Sequence, residues 1–442
     1  MKLELNTYDE INSILSDTSL LSSELEEVAA IKEFVEFEID KNRKHYSLKN
    51  GITHIEKAIG DYSRYMTDVE LANIEYAYLK ELLNLYFSSD QTTEGRLKHL
   101  NKLIERCEKL VTKTRSQPLL HIRCLIALGE ALKEKSFVTV ETDTRKKTYN
   151  KARQHFEKSI KILKDKRKEL GHYDYYYLIG LAYRQLAVIF ELEGDDADDD
   201  QEQYNLYVNW NKYSALAIEK LNEIGEDTVR SYALMNWSSS NDRLSQYEHS
   251  SKKNRKLNES TESLVESIHL LSQVEDHRGL AWAYYHLCEN TRCRLELATE
   301  LEDRIKILSE LQRYASNAVA EGKNVEDHLV LGLSNTKQGV ACYYEFDCAN
   351  TKQQDKLEEA IYYFKESIKL LEKTGYYRGA KEPYHFLSLC YYKLWEQTST
   401  QEYLIKAIQA LYDSIIYIST GLEKTKDLEI IYKFLNNEIR KL

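Results

Sequence analysis

In this 442-residue chain the residues most able to do chemistry gather in one acidic run, Glu193-Gly194-Asp195-Asp196-Ala197-Asp198-Asp199-Asp200. A calcium loop needs alternating carboxylates in a fixed twelve-residue frame that ends on a bidentate Glu. The run lacks that frame and reads as a solvated loop. Twelve histidines could supply bases or metal ligands, but HExxH is absent and His269, His286 and His385 are separated from one another by whole helices. They read as core or groove residues. The seven cysteines form no CxxC, and Cys107, Cys288 and Cys390 stand singly on apolar faces, as reduced core thiols do. GxxxxGKS/T, GxGxxG and GxSxG are also missing, which removes the usual phosphate cradles and nucleophile elbows. The expectation is a protein with no catalytic residue, no metal and no cofactor. Lys252-Lys253-Asn254-Arg255-Lys256 and Arg145-Lys146-Lys147 read as solvated hairpin loops, and a net charge of -11 disfavours nucleic-acid partners.

The elements that must carry these residues are helical. Two prolines and 15 glycines against 34 tyrosines and 30% charged residues describe long helices with few turns. No apolar run could cross a bilayer, and Lys2, Glu4, Asp9 and Glu10 break any apolar leader near Met1, so no membrane partner and a cytoplasmic location are expected. The stretch Ala360 to Leu371 sets small residues and an aromatic on one helical face, and Ala152, Phe156, Ser159, Ile160 and Leu163 repeat the places of Ala360, Phe364, Ser367, Ile368 and Leu371. The corresponding small residues along the chain are Ala58, Cys107, Ser159, Ala217, Ser267, Ala318, Ser367 and Ser414, spaced by 49, 52, 58, 50, 51, 49 and 47. Eight units of about fifty residues follow. A second signature, an apolar-small pair between bulky residues, precedes each: Leu125, Leu128-Gly129, Leu132; Tyr183, Leu186-Ala187, Phe190; Tyr284, Leu287-Cys288, Thr291; Tyr384, Leu387-Ser388, Tyr391. Each unit is thus a helical hairpin whose small residues permit close approach. Thr67 with Glu70, Thr351 with Gln354 and Ser399 with Glu402 have capping-box spacing; Gly225, Gly375 and Gly421 follow second helices, and Pro118 and Pro383 open first helices.

An apolar-Gly/Ala pair on one helix and an Ala, aromatic, Ala trio on the next resemble the tetratricopeptide repeat (TPR) family over roughly residues 24 to 420. The period of about fifty instead of thirty-four and the missing unit-closing proline depart from it. The resemblance implies an all-α solenoid, a right-handed superhelix of about eight hairpins (22–420), with 1–21 as a cap or docking arm and a capping helix in 421–442. It also implies that first helices line a concave groove that holds peptides. Stepping six and three residues back from each small first-helix residue stays on one face. The candidate partner-binding residues chosen there are Arg184, Tyr232, Trp282, Tyr285, Asn335, Gln338 and His385. Aromatic, amide and Arg side chains suit a peptide, although Trp282 and Tyr285 could equally pack between neighbouring hairpins. The functional expectation is a non-catalytic scaffold or receptor for a protein or peptide partner. The alternative is a sensor subunit, resembling peptide-pheromone receptors or the arm of a defence or signalling complex, that acts by conformational change.

Overall fold

The computed structural model describes residues 68–88, 93–139, 141–325, 327–348 and 354–416, together with position 56. The expected first hairpin with Ala58, the segment 1–21, the capping residues Thr67 and Thr351, Gly421 and the terminal helix lie outside them. Among the described residues there are fourteen α-helices and no strand. They are α1 (Asp68–Ser88), α2 (Thr93–Lys113), α3 (Pro118–Phe137), α4 (Thr142–Asp165), α5 (His172–Asp195), α6 (Asp200–Asn222) and α7 (Asp227–Ser245). The remainder are α8 (Ser250–Gln273), α9 (His277–Leu297), α10 (Leu301–Lys323), α11 (His328–Cys348), α12 (Gln354–Thr374), α13 (Lys381–Thr398) and α14 (Gln401–Ile416), with a 3₁₀ turn at Tyr377–Ala380 before α13. The chain divides into two compact units, 1–88 with 102–127 and 89–101 with 128–442. In the first, Arg106 lies 4.8 Å over the ring of Tyr78, and the buried Cys107, Leu110 and Leu79 supply apolar contact.

In the second unit consecutive helices pair as hairpins, and the first helices also touch one another in series: α5 with α7, α7 with α9, α9 with α11, α11 with α13. Such contacts define an inner layer. The repeat signature explains the close approach. Ser159, Ala217, Ser267, Ala318, Ser367 and Ser414 are all fully buried, and Phe156 and Phe364 fill the adjoining space with no exposure. Burying one such ring contributes about 1.5–3 kcal/mol. Polar seam residues are satisfied across the pair: Ser267 Oγ donates to the Ser231 carbonyl at 3.1 Å, and Ser367 and Thr336 hydroxyls meet at 2.7 Å. Gly225 (φ 63°) and Gly375 (φ 73°) turn the chain after second helices as expected, and Pro118 and Pro383 fall in first turns.

Three local expectations are corrected. Ser399 does not cap α14; it holds a left-handed φ of 57° as the C-cap of α13. The two basic clusters are not loops but lie in the first two turns of α8 and α4. The acidic run is only partly solvated, because Glu193 and Asp195 finish α5 and Asp196 is 1% exposed. Arg145, also buried, grips Asp196 through Nε and Nη2 at 2.8 and 3.0 Å, which compensates the desolvation of both charges.

Candidate functional site

The inner layer borders an open cavity of about 780 Å³. Its walls come from α5, α7, α9 and α11, mostly their C-terminal halves, from Trp210 of α6, from the first turns of α13 and from the Tyr376–Gly379 connection. On α9 the lining residues Tyr285, Glu289, Arg292 and Glu296 follow the three- and four-residue steps of a single helical stripe. Relative to the small residue Cys288 they stand at -3, +1, +4 and +8. Ser239, Asp242 and Gln246 on α7, and Glu191 and Asp195 on α5, repeat the positive offsets from Ser238 and Ala187. The cavity-facing stripe therefore continues toward the C-terminus from the -3 position.

That geometry sorts the seven sequence-selected residues. Tyr285 and His385 line the cavity. Arg184 and Tyr232 lie elsewhere on the inner layer, with the guanidinium 4.8 Å over the tyrosine ring and Tyr232 Oη donating to Asp276 at 2.8 Å. Trp282 is half-buried among apolar clusters, stacked on His286 and edge-on to Tyr285. Asn335 is buried, and Gln338 accepts from Ser316 of α10 at 3.3 Å. Counting six and three back to these two takes Ala341 as the small residue of α11, whereas the packing assigns that place to Gly339. A Cβ at Gly339 would lie 2.6 Å from the Phe364 ring, as one at Gly129 would lie 2.6 Å from Phe156. Two residues turn a helix by roughly 200°. From Gly339 the offsets +4, +5 and +8 give Tyr343, Tyr344 and Asp347, which do line the cavity.

Beneath the wall lies Lys337, 1% exposed. Its ammonium donates to Glu289 of α9 and to both carboxylate oxygens of Glu382 of α13, at 2.8 and 2.6 Å, and sits 4.5 Å from the Tyr285 ring centre. One cation thereby ties three successive first helices. Burial alone would raise the Glu289 carboxyl, but Lys337 and then Arg292 outweigh it and hold it well below the usual carboxylate range. A sequence cue existed: Lys337 is the only Lys, Arg, Asp or Glu between Asp327 and Glu345. At the other wall Arg378 reaches Asp195 and Asp196 at 3.7 and 3.3 Å, and Tyr376 meets Phe137 edge-on at 5.9 Å. The connection before α13 thus spans to the ends of α3 and α5, a contact remote in sequence.

Ser239 and His286 Nδ1 form a hydrogen bond of 2.8 Å within the cavity, the arrangement nearest to a nucleophile and base. Three features weaken it. Burial lowers the imidazole to about 4, no carboxylate among the described residues bonds its second nitrogen, and mid-helix backbone N–H groups are already engaged. Burial also pushes the lining thiol of Cys293 up to about 12, away from nucleophilic range. All seven cysteines are free, and no group of three or more metal-ligating residues occurs among the described residues. No described helix is long and apolar enough to cross a membrane.

A comparison with protein-family profiles finds no match, and a search among curated proteins finds none either. Several solved structures are similar at low identity. One is the signal transduction ATPase with numerous domains from Pyrococcus horikoshii, described with a tetratricopeptide repeat sensor: 13% identity over 95% of this chain and 55% of that one, TM-score 0.47. Yeast Tom70 gives 12% identity, 98% and 96% coverage and a TM-score of 0.31. A circular tandem repeat protein with novel repeat topology gives 14%, 93%, 96% and 0.29. Among the described residues the fold is an all-α array of consecutive helical hairpins.

Proposed function

We propose that this chain is a non-catalytic, cytoplasmic receptor-type scaffold that takes a peptide segment of a protein partner into the cavity of its inner helical layer. The observation that carries the reading is the cavity itself: about 780 Å³, walled by aromatic and charged side chains from five first helices. Pockets of several hundred Å³ with rigid aromatic walls and a few polar groups suit short ligand segments. Tyr285 and His385 belong to that face; Tyr344, Phe386 and Arg243 join them. Arg184, Tyr232 and Trp282 would contribute only if the segment extends beyond the cavity.

The test begins with an affinity pull-down from the native host and mass spectrometry, followed by binding of the partner to His385→Ala, Tyr344→Ala, Trp282→Ala and Asn335→Ala against Lys369→Ala. Aromatic anchors at the core of an interface typically carry about 2 kcal/mol or more. A loss of that size at Tyr344 and His385, with Lys369→Ala unchanged, supports the cavity. Wild-type affinity at both, in folded variants, refutes it. One observation also favours the sensor alternative. Asp195 lines the cavity and pairs with Arg378, so a ligand that engages Asp195 competes with the connection before α13. Partner binding should then alter the X-ray scattering profile.

A further inference from the structure

We infer that the cavity selects a basic segment, a peptide presenting a Lys or Arg side chain to the carboxylates of α5, with the aromatic wall beside it. The inference rests on the cavity being the binding site.

The first argument is the balance of charge. Seven carboxylates line the cavity against the permanent cations Arg243, Arg292, Arg378 and Lys381. Arg292 engages Glu289 and Glu296, Lys337 engages Glu289 and Glu382 from behind, and Arg378 engages Asp195. Glu191, Asp242 and Asp347 are left with no ion pair among the described residues. Arg243 is the converse case, a solvent-exposed guanidinium crowded by neighbouring side chains but without a partner within ion-pair distance among the described residues. Desolvation by those neighbours opposes its charge, but Asp195, Tyr207, Glu289 and Glu191 outweigh it, so its field is already occupied by carboxylates. An incoming anion would meet those same carboxylates.

The second argument is that the molecule already seats a guanidinium there. Arg378 enters from the α12–α13 connection onto Asp195 and Asp196, beside Tyr376. Glu191 stands one helical turn before Asp195 on the same cavity-facing stripe, yet holds no hydrogen-bond or ion-pair partner among the described residues. It is an adjacent subsite of the same chemistry. A third observation is an unmet donor: Trp210, 1% exposed, lines the same cavity, and its indole N–H has no hydrogen-bond acceptor among the described residues.

Facing Glu191 are Asp195 on its own helix, Arg243 on α7, Arg378 on the connection and Lys133 on α3. Burial first, and Asp195 second, raise its carboxyl to about 8; burial raises Asp242 to about 7. A basic ligand on the α5 carboxylates needs Glu191 ionised, so binding should strengthen as pH rises from 6 to 8. His286, held near 4, stays neutral throughout that window.

The experiment is equilibrium dialysis of the full chain with blocked hexapeptide pools that carry two Lys or Arg, no charge, or two Asp or Glu, and with spermidine as a free cation. The expected result is at least tenfold retention of the basic pool over the neutral one at pH 8, reduced at pH 6. Glu191→Gln should lower that retention at least fivefold and flatten the pH dependence, while the exposed Glu262→Gln leaves both unchanged. Preference for the acidic pool, retention of spermidine in place of the basic pool, or indifference to Glu191→Gln in a folded variant overturns the basic-segment inference and leaves the cavity reading standing. No retention of any pool overturns both.

Discussion

Replacing Lys337 by Met removes the cation that joins α9, α11 and α13 while keeping most of the side-chain volume. Glu289 and Glu382 then face each other across the space Lys337 occupied. Leaving one partner of a buried pair uncompensated typically costs about 3–5 kcal/mol. Here the two glutamates retain 27% and 30% side-chain exposure, and Glu289 keeps Arg292 at 3.1 Å, so part of the charge can be hydrated or shared. The expected cost is therefore about 2–3 kcal/mol. Repeat arrays open locally, so the readout is hydrogen exchange of the amides of α9, α11 and α13. The decisive comparison is the triple variant Lys337→Met, Glu289→Gln, Glu382→Gln, which should recover most of the loss because it removes the stranded charge. A triple variant as unstable as the single one would show that lost packing, not uncompensated charge, sets the cost. The pH dependence gives a second check. Glu289 is depressed in the fold, so its stabilisation is present above the unfolded carboxylate pKa and fades as pH falls below about 4–5. Lys337 is raised by Glu289 and Glu382 despite burial, so its share persists until pH exceeds the unfolded lysine value near 10. The difference between wild type and Lys337→Met should be flat from about pH 5 to 10 and shrink in acid.

Arg145→Met should cost about 3–5 kcal/mol, because it leaves the fully buried Asp196 carboxylate without its bidentate partner. Arg378→Met should cost about 1 kcal/mol or less, since Arg145 remains; equal losses in urea would contradict that division of roles. Ser367→Leu should crowd the α11–α12 seam and cost about 1–3 kcal/mol, whereas the exposed Asp198→Ala should stay within about 0.5 kcal/mol. Matching urea midpoints for these two would refute the seam assignment.

The hairpin array was legible in the sequence because close helix packing demands small residues at fixed intervals. Ser159, Ala217, Ser267, Ala318 and Ser367 are fully buried where that periodicity put them. The cavity was only partly legible. Tyr285 and His385 could be found by counting along one helix, since local spacing fixes which residues share a face. On α11 the count began two residues late because Ala341 and Gly339 are both small, and only the proximity of Gly339 to the Phe364 ring identifies the seam. The acidic run looked like a solvated loop because its cations, Arg145 and Arg378, lie 51 and 182 positions from Asp196 along the chain. Periodicity reports what each helix buries against its neighbours. Which charges meet across the inner layer depends on the summed rotation of several hairpins, and that is set by tertiary packing alone.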